Sequence, residues 1–324
     1  MAWLWIVIVC VVLYYVLMLI RHKLSVGGYQ DRHVLITGCD TGFGHLLALR
    51  LDEMGFRVFA GCLTDKGEDE LRKNASKALH AFHFDVTQDM SLQNALKHVT
   101  NNIPPGKGLW GIVNNAGIAG PGFLAPLEWL TKEDYEKTLA VNLFGPIETT
   151  RVFLPLIRKE KGRVVIMSSI AGIINIPTEC AYAVSKHALE SYADTLRMSV
   201  RMYEVSVHTI RPSGFATTFQ NKEAIEANVK SIWRRLDPER RTFYGEQYFD
   251  GLLLLRRRLS AMFTRDPRPS KVVDTYVHAL TARYPKTHYR VGWGANTTVR
   301  IIAWLPDGVR DWLWASIIPR PVGA

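Results

Sequence analysis

Of the twelve tyrosines, only Tyr182 is followed four residues later by a lysine, Lys186. On a helix, residues four apart share a face. A tyrosine hydroxyl titrates near about 10, and a neighbouring ammonium favours its phenolate. The pair therefore forms a candidate base for proton transfer near neutral pH. Taken alone, it is equally compatible with a surface tyrosine and a solvated lysine. Ser169 stands thirteen residues before Tyr182, at the end of an apolar run. A hydroxyl there can donate to a substrate oxygen that gains charge, or simply cap the next turn.

A second chemical feature is "TGCDTGFG", Thr37 to Gly44. It joins an apolar strand pattern to a helical one. Gly38 suits a sharp turn, Gly42 lets backbone approach a pyrophosphate, and Gly44 lets the helix pack on the sheet. The free N–H groups of the helix start then face the phosphates. An ordinary strand–helix turn is the competing reading. A 2′-phosphate needs a nearby cation, whereas a ribose 2′-OH suits an acid. The loop's only charge is Asp40, and the first charge after the next strand is Asp65, followed by Lys66. NAD is expected over NADP, with Asp65 the discriminating acid unless it only caps the helix after it.

The elements that must position these residues alternate. Strands are expected at 33–37, 57–63, 80–87, 109–117, 162–169 and 205–214. Helices are expected at 45–55, over the stretch 132–159 and at 181–203. The strand runs are apolar and β-branched, which marks a parallel sheet covered on both faces. The expected fold is α/β, a Rossmann-like doubly wound parallel sheet. Its catalytic domain runs over 30–295. An arginine-rich amphipathic elaboration on the substrate side occupies 219–268. A Trp- and Ile-rich tail over 296–324 either lies on a membrane interface or packs on the core.

Residues 1–22 are a candidate anchor. Ala2 to Ile20 carries no charge, and nineteen residues at about 1.5 Å each give about 28 Å of helix, enough for a bilayer core. No basic segment precedes this run and no small-residue cleavage site follows, which argues against a signal peptide. Arg21 and Lys23 follow it, so the positive-inside rule puts the catalytic domain in the cytosol. Asn74 and Asn296, both in glycosylation sequences, should then stay unmodified. The four cysteines show no paired or metal-ligand spacing, so no metal is expected. The net charge is +10 with a pI of about 9.5. The arginines form no nucleic-acid module, and a basic face beside an anionic membrane accounts for them without a nucleic-acid partner.

The loop spacing resembles the short-chain dehydrogenase/reductase family. Further motifs follow in order: "FDVT" with Asp85, "NNAG" at 114–117, "VNLFG" with Asn142, Ser169, then Tyr182 and Lys186. The likeness is close over 30–215. "ITGCDTGFG", "FRVFAGCLT", "KGLWGIVNNAG" and "YPKTHY" look like its membrane-bound retinol and hydroxysteroid dehydrogenase branch. One departure is Ser213 between Pro212 and Gly214, where the family usually has Pro-Gly.

The resemblance implies hydride transfer between a nicotinamide and an alcohol or ketone. It implies Asn142, Ser169, Tyr182 and Lys186 as the catalytic set, with Ser169 and Tyr182 on the substrate. Asn142 would join a water-linked proton relay. It implies cofactor contacts from Thr37, Gly38, Gly42, Phe43 and Gly44. Asp85 and Val86 would meet the adenine; Asn114, Ala116 and Gly117 would line the cleft. Lys186 would bond the ribose, with Tyr182 beside the nicotinamide. Thr217 would meet the carboxamide end, and Pro212 is a further cofactor contact. A bulky lipophilic alcohol, an endoplasmic reticulum location and a homodimer also follow. A small hydroxy acid of the 3-hydroxybutyrate type is the rival substrate, and a non-catalytic dinucleotide-binding scaffold the rival function.

Overall fold

The computed structural model describes residues 2–215, 217, 221–262 and 266–324, without the side chains of 2, 15, 17–20, 22, 23, 222, 257 and 259–262. Seven strands form one parallel sheet: β1 (His33–Thr37), β2 (Arg57–Cys62), β3 (Leu79–His83), β4 (Gly111–Asn114), β5 (Arg163–Met167), β6 (Ser206–Pro212) and β7 (His288–Val291). Their order is β3-β2-β1-β4-β5-β6-β7. Val34 of β1 lies opposite Val58 of β2 and Gly111 of β4. The connection reverses direction between β1 and β4, which leaves a crevice at their carboxyl ends.

Side chains leave β1 to alternate faces. Val34 and Ile36 join a buried cluster with Leu47 and Leu51 of α2 (Gly42–Glu53) and with Val272 and Tyr276 of α11 (Ser270–Thr281). Leu35 joins the opposite cluster with Phe153 of α6 (Gly145–Lys159) and Leu189 of α7 (Cys180–Ser199). Burial on both faces explains the unbroken apolar runs. Helices α3 (Asp65–Asn74) and α4 (Asp89–Asn101) complete the layers.

Six strands were expected from sequence, and all six are present: β1 has the expected bounds, β3 starts one residue early and ends sooner, and the others have tighter ends. The seventh, β7, was missed. It is four residues long and polar at two of them, so it carries no apolar run. The expected helix over 132–159 is not continuous. It consists of α5 (Lys132–Leu139), a π-helical turn (Ala140–Phe144) and α6. Pro146 enters at the start of α6 and has no N–H to continue the ladder.

The elaboration contains α8 (Lys222–Arg235), α9 (Pro238–Tyr244) and α10 (Glu246–Met262); its expected start at 219 lies outside the described residues. Ile225, Val229 and Ile232 repeat along one face of α8 and bury against Trp129, Tyr244 and Leu252. Arg235 forms an ion pair with Asp134 of α5, which ties the elaboration to the core. The tail forms α12 (Trp293–Asn296), α13 (Thr298–Trp304) and α14 (Asp307–Ile317). Trp314 packs inward with Ile170 and Leu255, while Trp304 and Trp312 are exposed.

The N-terminal run forms α1 (Ala2–Lys23), and its side chains from Trp3 to Leu13 are exposed. Among the described residues no helix is long and apolar enough to cross a membrane. The side chains at 15 and 17–20, part of the expected anchor, lie outside the described ones.

Candidate active site

A cavity of about 560 Å³ opens at the carboxyl ends of β1, β4 and β5. The glycine loop forms one wall. Gly38 has φ +70°, and a Cβ there would stand 2.7 Å from the Cα of Ala116. Glycine is therefore required both for the left-handed backbone and for the close approach. A Cβ on Gly44 would stand 2.3 Å from the Gly38 carbonyl oxygen, so α2 sits directly against the loop. Around Gly42, among the described residues, the one neighbour within 4 Å of such a Cβ is Thr217, at 3.9 Å. That face opens into the cavity, and a side chain would fill the cradle.

The loop is latched from β4. The Thr37 hydroxyl accepts from Asn115 N at 3.1 Å and Ala116 N at 3.0 Å. The Asn115 amide donates to the carbonyls of Thr37 at 2.9 Å and Gly38 at 3.0 Å, and Tyr276 donates to its oxygen at 3.0 Å. Asn115 was not singled out from sequence, although it lies inside the "NNAG" string. Asn114 instead points inward, donating to Thr150 at 2.9 Å.

At the far edge, Asp40 accepts from Leu63 N at 2.9 Å, Thr64 N at 2.8 Å and the Thr64 hydroxyl at 2.7 Å. Asp40 and Leu63 line the cavity. Asp65 does not; it is exposed in the first turn of α3, and Thr64 supplies that helix's side-chain cap. Asp85 and Val86 line the same end.

Tyr182 and Lys186 occupy successive turns of α7, both buried. The Lys186 ammonium donates to the Met167 carbonyl at 2.9 Å and lies 5.7 Å from the centre of the Tyr182 ring. Ser169 follows β5 and lines the cavity beside Tyr182, within hydrogen-bond reach of its hydroxyl. Phe123 meets the tyrosine ring edge-on at 5.5 Å. Burial pushes the phenol well above its ordinary range; a hydrogen bond from Ser169 opposes this and the Glu179 charge adds to it. Burial pushes the Lys186 ammonium down to about 8, against the favourable charge of Glu190. Desolvation is the largest cause of both shifts, raising the phenol and lowering the ammonium.

Asn142 lies in the π-helical turn, fully buried. Its side chain accepts from Ile118 N at 2.9 Å and donates to Ile118 O at 2.9 Å and to the Ser185 hydroxyl at 3.1 Å. Ser185 in turn donates to Tyr182 O at 2.7 Å. An extra residue in a helix turn frees backbone groups and re-aims side chains, and such turns gather at functional sites. Here the turn brings Asn142 between the cavity loop and α7.

Pro212, Ser213, Gly214 and Thr217 close the cavity. Ser213 fits because Gly292 faces it: a Cβ there would lie 2.2 Å from the Ser213 oxygen. Of the residues named from sequence, Gly38, Gly42, Phe43, Asp85, Val86, Ala116, Gly117, Ser169, Tyr182, Lys186, Pro212 and Thr217 line one cavity. Thr37, Gly44, Asn114 and Asn142 support its walls, and Asp65 stands apart. Glu179 and Arg256 also line it; no motif marked them.

A family model described as short chain dehydrogenase matches residues 32–228. Retinol dehydrogenase 5 of Mus musculus is 40% identical over 309 residues, covering 95% of each chain. Retinol dehydrogenase 16 of Mus musculus is 39% identical, covering 98% of this chain and 99% of its own. Among solved structures, a short chain dehydrogenase/reductase from Burkholderia phymatum in complex with NAD superposes with a TM-score of 0.68 at 21% identity, covering 85% of this chain and 94% of its own. One from Burkholderia cenocepacia in complex with NADP gives 0.63 at 19%, covering 89% and 98%.

Proposed function

We propose that this chain, which belongs to the short-chain dehydrogenase family, is a membrane-associated, NAD-preferring dehydrogenase of retinoid or hydroxysteroid alcohols. It is an enzyme, an oxidoreductase that interconverts alcohol and carbonyl on a lipophilic substrate. The observation that carries the mechanism is the meeting of Ser169, Tyr182 and Lys186 at one cavity wall.

The residues present fit a nicotinamide dinucleotide. The open face of Gly42 and the N-terminal end of α2 would hold its phosphates. Lys186 would meet a ribose. When bound, the dinucleotide supplies the hydride acceptor. Ser169 donates a hydrogen bond to the substrate oxygen and fixes its position. Tyr182 takes the hydroxyl proton as the carbonyl forms. With its pKa near about 8, Lys186 carries its charge at neutral pH, and that charge stabilises the phenolate as it develops. Asn142 and Ser185 hold α7 in register with the cavity loop. Phe123 covers the tyrosine and keeps water from the reacting oxygen.

The preference for NAD rests on Asp40 rather than Asp65. Asp40 stands at the cavity edge with its carboxylate fixed by three hydrogen bonds, where it would repel a 2′-phosphate. Apolar walls and the named relatives favour a bulky alcohol over a small hydroxy acid.

The uncharged run of α1 supports an anchor in the endoplasmic reticulum membrane. The basic residues after it favour a cytosolic catalytic domain, and exposed Trp304 and Trp312 suit an interfacial tail. A homodimer is the family's expectation.

The test is catalytic efficiency with both dinucleotides on the full chain in membranes. The panel is all-trans and cis retinols, 3α- and 17β-hydroxysteroids and 3-hydroxybutyrate. The expected result is NAD-linked oxidation of a retinol or hydroxysteroid. A preference for NADP would overturn the cofactor assignment, and a preference for 3-hydroxybutyrate the substrate class. Asn74 and Asn296 are both exposed, so a glycan on either would reverse the orientation.

A further inference from the structure

A second concavity, of about 420 Å³, lies between α11 and β7. It shares no lining residue with the catalytic cavity. Several of its polar groups are committed to the protein. The Thr275 hydroxyl donates to Lys271 O at 2.8 Å, and His278 Nδ1 meets the Tyr289 hydroxyl at 2.9 Å. His288 is engaged on both nitrogens, 2.8 Å from the Thr209 hydroxyl and 3.7 Å from Asp194.

Three charges in the cleft are left over, each from a different element: Asp274 of α11, Lys286 of the connecting loop and Arg290 of β7. Among the described residues, none of these side chains has a hydrogen-bond or ion-pair partner. The two cations do not pair with the acid that shares their cleft. β7 is also the edge of the sheet, and an edge strand presents N–H groups without a strand partner.

Cations and N–H donors suit a phosphate. The carboxylate of Asp274 would repel a bare phosphate but attract an ammonium. One ligand that carries both groups, a phosphodiester bearing an amine, satisfies the whole set.

The cleft stands by the foot of α1. Val26 N donates to Thr281 O, and Arg283 N donates to Leu24 O, each at 2.7 Å. The Arg21 guanidinium lies 4.4 Å from the centre of the Tyr284 ring. Tyrosine is favoured at the level of lipid headgroups. Lys286 follows Arg283 by three residues, at most about 11 Å of chain. With α1 in a bilayer, the cleft therefore lies close to the headgroup layer.

We propose that the cleft between α11 and β7 binds an aminophospholipid headgroup, with its phosphodiester on Lys286 and Arg290 and its ammonium on Asp274. This rests on the anchor reading given above and extends it to a specific lipid contact.

The test purifies the full chain from detergent micelles doped with equal amounts of phosphatidylethanolamine and phosphatidylglycerol. The second lipid has the phosphodiester but no amine. Mass spectrometry reads the lipid retained. The wild type should retain phosphatidylethanolamine over phosphatidylglycerol by about tenfold, the scale of one charge-assisted hydrogen bond. Asp274→Asn should bring that ratio toward one. Lys286→Gln combined with Arg290→Gln should lose both lipids while alcohol oxidation in detergent stays at the wild-type level.

A wild-type ratio near one overturns the proposal, as does undiminished retention in the folded double variant. Displacement of the lipid by inorganic phosphate as readily as by glycerophosphoethanolamine would make this a site for free phosphate and overturn it too. If an alkaline wash strips the chain from membranes, the anchor reading fails on its own, and the lipid ratio in micelles still decides the chemistry of the cleft.

Discussion

Along the edge of β1, β2 and β4 the cavity wall is main chain. Glycines bring it close, and a handful of polar side chains, Thr37, Asn115 and Asp40, hold it in place. On the opposite side, where Ile225 of α8 and Arg256 of α10 line the cavity, the helices α8 to α10 are held from behind by rings. Trp129 packs against Trp233 and Tyr244, each at 5.1 Å, and Trp233 stacks on Phe249 at 5.5 Å. The first wall depends on directional bonds and on missing Cβ atoms, so few residue types can stand there. The second depends on buried volume, which many apolar sequences can supply. One half is thus built to hold an invariant ligand, and the other can change its substrate without disturbing the fold.

Four substitutions test that division. Lys186 belongs to both halves, so Lys186→Met should have the largest effect. Turnover should fall about 1,000-fold, within the range for lost proton-transfer catalysis, and dinucleotide affinity should fall with it. Retained affinity would remove the lysine from the cofactor side. Trp129→Ala should cost about 3–5 kcal/mol of stability by leaving a cavity among the rings. In the folded fraction the KM for alcohol should rise while dinucleotide affinity stays constant. An equal loss of both would mean that the two walls are coupled.

Gly38→Ala should do the converse, at about 1–3 kcal/mol of strain. Titration should show weaker dinucleotide binding, and KM for alcohol should be unchanged at saturating dinucleotide. The fourth substitution concerns Glu179. Its carboxyl moves from an ordinary 4.5 to about 8 through burial. Between those values the folded protein holds a proton that the unfolded chain has lost, so stability falls as pH rises through that window. Among the described residues, Tyr182 and Lys186 of α7, which Glu179 immediately precedes, and Arg256 from α10 are the other ionisable groups lining that part of the cavity. In Glu179→Gln this part of the decline should vanish, seen as melting curves that diverge from wild type between pH 5 and 8. Parallel curves would contradict the burial of the carboxyl.

How legible each region was follows from the same physics. β1 was readable to the residue, because His33 to Thr37 is buried on both faces. The Tyr182–Lys186 pair was readable because its geometry is local to one helix. Asn142 came only through resemblance: the π-helical turn that aims it has no simple periodic signature, and the sequence read as one long helix. The sequence ranked Asp65 above Asp40, because nothing in it shows how the loop folds back onto Leu63 and Thr64 to bring Asp40 to the cavity edge. Glu179 and Arg256 line the same cavity from positions 77 apart in the chain, and nothing in either neighbourhood marks a cavity. Strand β7 is short and half polar, and the sheet's edge, not its own pattern, makes it a strand.

The claim at the centre is that Tyr182 moves the proton in a preassembled site. The most direct test follows carbonyl product from a retinol and a hydroxysteroid by chromatography, in wild type and Tyr182→Phe, with NAD affinity measured on the same preparations. The account predicts loss of turnover by about 1,000-fold or more with NAD affinity within about twofold, since only one hydroxyl is removed. Wild-type turnover in a folded Tyr182→Phe protein would contradict it.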